Sequence, residues 1–120
     1  MDEVTLQVES SVDAPRRSRS RLSHFRPQLG PRYDDVILVV SELVSNSVRH
    51  SSANGIDVTV SNRGGWIRVE VSDNGPGFSI DAPRGDGLGL SIVEKLADRW
   101  GMKNGQDTFT VWAELSADPQ

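Results

Sequence analysis

The stretch from Asp73 to Ser91, DNGPGFSIDAPRGDGLGLS, places five glycines within fifteen residues, at positions 75, 77, 85, 87 and 89. Glycine loses more freedom on folding than any other residue, so this density is costly. A fold bears that cost where backbone must turn sharply or come close to something. The stretch opens on the carboxylate of Asp73 and closes just before an apolar, helix-like run. A helix that starts after glycines aims free N–H groups and a positive dipole end at one spot, which suits phosphate. The reading is a nucleotide pocket, with Asp73 at one end and the Gly87–Gly89 turn at the other.

The flanking chain predicts what carries that pocket. Val4, Leu6 and Val8 alternate with polar residues, as do Ile56, Val58 and Val60, and Ile67, Val69 and Val71, giving three strands. Asn62–Arg63–Gly64–Gly65 is a hairpin turn between the second and third, and the third runs directly into Asp73. Open sheets commonly place ligand groups at such strand ends. A further short strand is expected around Met102, and a last one from Thr108 to Leu115 with Trp112 on the face opposite Phe109, Val111, Ala113 and Leu115.

Three helices are expected between them. The first starts at Asp13–Ala14–Pro15 and stops or kinks near Pro27. Its arginines, at positions 16, 17, 19 and 21, form either a solvated face or a contact surface for an acidic partner. The second runs from Val36 to about His50, with Val36, Val40, Leu43, Val44 and Ser47 on the sheet side. Glu42 and Asn46 form a polar line at helical spacing along the edge of that stripe, and His50 continues it. The third follows Leu88 and ends near Trp100–Gly101, where Gly101 suits a C-terminal cap. The sum is an α+β, two-layer α/β sandwich. Its sheet is mixed and mostly antiparallel, covered on one face by three helices.

Composition narrows the function. A chain of 120 residues fits one domain, taken here as 1–120. A net charge of −4 argues against direct nucleic-acid binding. The lack of cysteine excludes disulfides and cysteine nucleophiles, and two distant histidines argue against a histidine zinc site. MDEVTLQVE is no signal peptide, and no apolar run approaches the ~20 residues of a membrane span, so a cytoplasmic protein without membrane association is expected. Two common phosphate loops fail: Gly89 is followed by Leu90 and not by the Walker lysine, and the glycines at 85, 87 and 89 lack the Rossmann spacing.

Three boxes in order do fit a pattern: SELVSNSVRHS at 41–51, DNGPGF at 73–78 and GDGLGLS at 85–91. Singly, each has a plainer explanation as a turn, a helix packing contact or a solvated face. Together they resemble the superfamily of gyrase, heat-shock chaperone, histidine kinase and mismatch-repair ATPases (GHKL), whose sandwich is the Bergerat fold. The resemblance implies ATP and Mg²⁺ as ligands. Asp73 would accept a hydrogen bond from the adenine amino group, since a carboxylate is acceptor-only. Gly75 and Gly77 would let backbone approach the ring. Asn46 would give an oxygen to Mg²⁺, which favours oxygen ligands and takes few from protein. Glu42 would orient or deprotonate the attacking group, while Gly85, Gly87, Leu88, Gly89 and Leu90 would face phosphate. Arg84 could add charge there, and Thr110 or Phe109 could lie near the base.

The short segment from Phe78 to Gly85, together with SELVSNSVRH, GLGLSIVEKLADRWG and TVW, looks like the anti-sigma-factor serine/threonine kinases of actinobacteria. That resemblance implies a sigma factor as one partner, an anti-anti-sigma protein as phosphorylation substrate, and a homodimer built near the N-terminal strand and helix. The alternatives are a non-catalytic, nucleotide-dependent binding module and the catalytic domain of a histidine kinase. SHFRPQL around His24 lacks the acidic residue and the helical hairpin of a phospho-acceptor histidine.

Overall fold

The computed structural model describes residues 3–50, 54–74, 90–105 and 107–118. Five strands form one sheet: β1 (Glu3–Glu9), β2 (Gly55–Arg63), β3 (Trp66–Asp73), β4 (Arg99–Asn104) and β5 (Phe109–Ser116). Their spatial order is β1-β2-β3-β5-β4. The alternation read from sequence is the alternation of burial. Ile56, Val58, Val60, Ile67, Val69, Val71, Phe109, Val111, Ala113 and Leu115 all face the core, and their polar neighbours face away.

All four strand pairings among the described residues are antiparallel, which corrects the expected mixed sheet. The reason is insertion. β1 and β3 point the same way but β2 lies between them; β3 and β4 do too, and β5 lies between those. The β2–β3 hairpin turns on Gly64 and Gly65, with φ of 58° and 82°. A two-residue turn matching the strand twist requires positive φ at both positions, where a side chain would be strained.

The helices lie on one face. They are α1 (Ala14–Leu22), α2 (Arg26–Leu29), α3 (Tyr33–His50) and α4 (Leu90–Leu96). One more exists than expected, because the chain after Leu22 passes through a 3₁₀ turn and then makes the single turn α2, with Pro27 in its first turn. Gly30, at φ 59°, bends the chain into α3. That helix begins a turn earlier than its apolar stripe suggests, so both Asp34 and Asp35 sit in its first turn and favour the helix dipole. Val36, Val39, Val40, Leu43 and Val44 are fully buried beneath it.

The expected end of the last helix is corrected. α4 stops at Leu96, and Trp100 and Gly101 belong to β4. Gly101 is therefore no helix cap. It lies opposite Trp112, and a Cβ on it would come within 2.9 Å of the indole Cζ2.

Candidate functional site

Asp73 ends β3 on the buried side of the sheet, in the row of Ile67, Val69 and Val71, and is only 5% exposed. A carboxylate in that row is out of keeping with its neighbours, since burying a charge is costly unless it is paired. Opposite it on β2 is Ile56, and on β5 Phe109. Directly opposed residues share a face, so Phe109 stands beside Asp73 and Thr110 points to the other side. There the Thr110 hydroxyl meets that of Ser72 at 2.7 Å. A hollow of about 220 Å³ opens at this end of the sheet, lined by Gly55, Asp57, Ser72, Asp73, Asn74 and Thr108.

Asn46 reaches the same end along α3. The helix closes at His50, and β2 begins at Gly55, one residue before the partner of Asp73. Asn46 is one helical turn, ~5–6 Å, from that close. It is 1% exposed, so its amide lies in the layer between α3 and the sheet, as Asp73 does. Its Oδ1 accepts a hydrogen bond from Arg49 Nη2 at 2.9 Å, and its Nδ2 is buried without a partner among the described residues. Glu42, a turn earlier, is half-buried, and its side chain makes no hydrogen bond or ion pair to a described residue.

Leu90, buried at the start of α4, is brought to this end by the path of the chain. β4, which follows α4, starts opposite Glu114, and Glu114 pairs with Arg68 near the far end of β3. The helix thus runs away from Asp73. Gly75, Gly77, Gly85, Gly87, Leu88 and Gly89, with Arg84 and the His50 side chain, lie outside the described residues.

The donor set fits a nucleotide with a divalent cation. A carbonyl oxygen has two lone pairs, so Asn46 Oδ1 keeps one beyond its bond to Arg49. The orphaned Nδ2 is a buried donor, which is costly unless something accepts from it. Magnesium takes few ligands from protein and fills its shell with phosphate and water, so a single amide oxygen is a sufficient protein contribution.

Two features escaped the sequence. Arg49 orients the Asn46 amide, and its only signal was its place three residues on, one turn along the helix. Arg32 is 8% exposed and donates through Nη2 to the carbonyl of Leu96, the last residue of α4, at 2.9 Å. Its Nε lies 3.2 Å from Asp35 Oδ2, but the alignment makes this an ion pair and no hydrogen bond. It ties the start of α3 to the end of α4 far from Asp73.

A family model described as "Histidine kinase-, DNA gyrase B-, and HSP90-like ATPase" matches residues 32–118. Sensor protein VraS of Staphylococcus aureus (strain COL) is 30% identical over 99 residues, covering 82% of this chain and 25% of VraS. Sensor histidine kinase LiaS of Bacillus subtilis is 32% identical over 68 residues, 57% of this chain and 19% of LiaS. The chain thus spans a quarter or less of these relatives. Among solved structures, that of the RsbU and RsbW domains of Rv1364c from Mycobacterium tuberculosis superposes with a TM-score of 0.75 at 22% identity, over 97% of this chain and 32% of that one. Histidine kinase AdeS of Acinetobacter baumannii gives 0.61 at 16% identity, over 97% and 68%. Both likenesses bear on the fold.

Proposed function

Since this chain belongs to the histidine kinase-, DNA gyrase B- and HSP90-like ATPase family, we propose that it binds ATP with Mg²⁺ at the Asp73 end of its sheet and acts as a protein serine/threonine kinase and anti-sigma factor. Domains of this family generally bind ATP with Mg²⁺. The observation that supports the reading is the shared burial of Asp73 and Asn46, on one side of the sheet and at one end of it.

In this reading Asp73 anchors the adenine amino group and Phe109 packs beside it. Asn46 offers Oδ1 to the cation, and Arg49, which donates to the same oxygen, holds the amide in place. Gly75 and Gly77 lie near the base; Gly85, Gly87, Leu88, Gly89 and Leu90 lie near phosphate. Bound there, ATP with Mg²⁺ supplies the phosphoryl group. Glu42 orients a serine or threonine hydroxyl of an anti-anti-sigma protein and takes its proton. Phosphoryl transfer depends on positioning and charge neutralisation more than on proton removal, so Glu42→Ala lowers rate more than affinity. A sigma factor is the second partner, and the working unit is a homodimer. The resemblance of SELVSNSVRH and GLGLSIVEKLADRWG to anti-sigma kinases supports these partners.

A second reading, the catalytic domain of a histidine kinase, is favoured by the sensor kinases among the sequence relatives. Calorimetric titration with ATP, with and without Mg²⁺, tests binding. Saturable binding that needs Asp73 is expected; a wild-type chain that ignores ATP ends the proposal. Incubation with labelled ATP and candidate antagonist proteins tests transfer, and acid-labile phosphate on histidine selects the second reading.

A further inference from the structure

We propose that Arg32 is a positioning residue of the nucleotide site: from the end of the sandwich opposite Asp73 it fixes the angle of α4, and through α4 the place of Leu90 beside the phosphates. This role rests on the reading of the Asp73 end as an ATP site. Asp73 and Arg32 are the two charged side chains that the described residues bury, at 5% and 8% exposed. α3 spans the distance between them, since Arg32 directly precedes it and its 18 residues rise ~27 Å toward the Asp73 end.

Arg32 closes the 3₁₀ turn Gly30–Arg32 that leads into α3. Its Nη2 donates to the Leu96 carbonyl at 2.9 Å, and its Nε lies 3.2 Å from Asp35 Oδ2. Leu96 is the last residue of α4, so its carbonyl is one of the four that a helix leaves without an internal partner. A cation at that end also suits the helix dipole. Burial works against the guanidinium, whose Nε finds no hydrogen-bond acceptor among the described residues. An apolar side chain of similar size would fill the space without that cost. It could not join two helices. The guanidinium fork meets Asp35 of α3 with one nitrogen and the backbone of α4 with another, a span that a lysine ammonium does not make.

α4 depends on such a contact. It has seven residues, of which Leu90 and Val93 are buried in the core. A helix this short is not stable by itself and takes its direction from its neighbours. α3 runs toward Asp73 and α4 away from it, so the two are antiparallel. Asn46 and Leu90 thus stand at one end of a helix pair that Arg32 joins at the other. Ala97 and Asp98 alone separate α4 from β4, and the Asp98 N–H donates to the Glu114 carbonyl at 2.8 Å. The sheet therefore fixes where α4 ends, and Arg32 fixes its angle to α3. α4 is ~10 Å long, so a small tilt at Leu96 moves Leu90 by about 1 Å, a misplacement that can cost ~100-fold in rate. Asp73 belongs to β3, so base recognition does not pass through α4. Release of α4 should weaken recognition of phosphate and spare that of the base.

Arg32→Met keeps an unbranched apolar stem and removes both contacts. It is compared with the wild type in two titrations, ATP with Mg²⁺ by calorimetry and adenosine by amide chemical shifts. ATP affinity should fall about tenfold while adenosine affinity stays within about twofold. Arg32→Lys should behave as Arg32→Met does, because the fork is what the site needs. Asp35→Asn keeps the Leu96 bond and should show the same split at about threefold; it carries the test where Arg32→Met does not fold. Equal loss for both ligands shows a general structural role and overturns the proposal, as does unchanged ATP affinity. Hydrogen exchange on the nucleotide-free chain checks the intermediate step. Arg32→Met should speed exchange at the amides of α4 about tenfold relative to those of β2 and β3, and equal rates overturn the role given to α4. A wild-type chain that binds neither ligand ends the ATP reading and the positioning role with it; a wild type that binds both, with no split in the variants, ends the positioning role alone.

Discussion

The two faces of the sheet are built from the same strands and solve opposite problems. The face under the helices is dry and aliphatic, and Asp73 is the charge set into it. The other carries no helix among the described residues and covers itself. Glu114 lies between Arg68 on β3 and Arg99 on β4, at 2.9 Å from each, and Glu70 pairs with Arg68 at 3.0 Å and with Lys103 at 3.6 Å. Arg68 also lies over the Trp112 ring and Arg99 over that of Trp66, at 4.6 and 4.7 Å. Burial works most strongly against the charge on Arg68. The hydrogen bonds that it donates to Glu114 and Glu70, with their charges, outweigh it and raise its pKa above the ordinary value. On the open face, then, charge is structural and neutralised by cross-strand neighbours. On the dry face a charge is an exception, and the proposed site is built on that exception.

The sharpest way to break this contrast is to hollow out the dry face. Ile67→Ala should cost ~2–5 kcal/mol in urea unfolding, from lost burial and the cavity left behind. A cost comparable to an open-face change would mean the two faces contribute alike. Asp73→Asn should lower ATP affinity by ~1.5–3 kcal/mol by calorimetry. Unchanged affinity would mean that the carboxylate does not anchor the ligand. Gly101→Ala presses a methyl on the Trp112 ring and should cost ~1–3 kcal/mol, less in a Trp112→Leu background. Equal cost in both backgrounds would show that the indole is not what needs the space. Glu114→Gln should have the smallest effect, ~1 kcal/mol or less, and high salt should shrink it further.

Most of the strand pattern was legible in the sequence, because it rests on local periodicity, whereas the expectation that Asp73 and Asn46 share a site rests on the resemblance carried by the three boxes. Ile67, Val69 and Val71 alternate visibly and carry Asp73 into their row; Glu42 and Asn46 are one turn apart on any helix. What was not legible depends on contacts between distant residues. A glycine that ends a helix and a glycine that admits an indole look the same, so Gly101 was misread until Trp112 stood opposite it. Arg32 is buried because a carbonyl 64 residues away accepts its hydrogen bond. The choice between Phe109 and Thr110 beside Asp73 needed the register of β3 against β5. The antiparallel character of the whole sheet needed the insertion of β5, which no local pattern announces.

The short passage from His50 to Gly55 has a consequence for how such a protein can change. It joins the helix that carries Asn46 to the strand that lies beside Asp73. In the proposed reading, anchor and cation ligand are thereby gauged by the scaffold, independently of the glycine-rich sequence between Asn74 and Leu90. Recombination could exchange that sequence wholesale without altering the span between the two groups proposed to hold the ligand's ends.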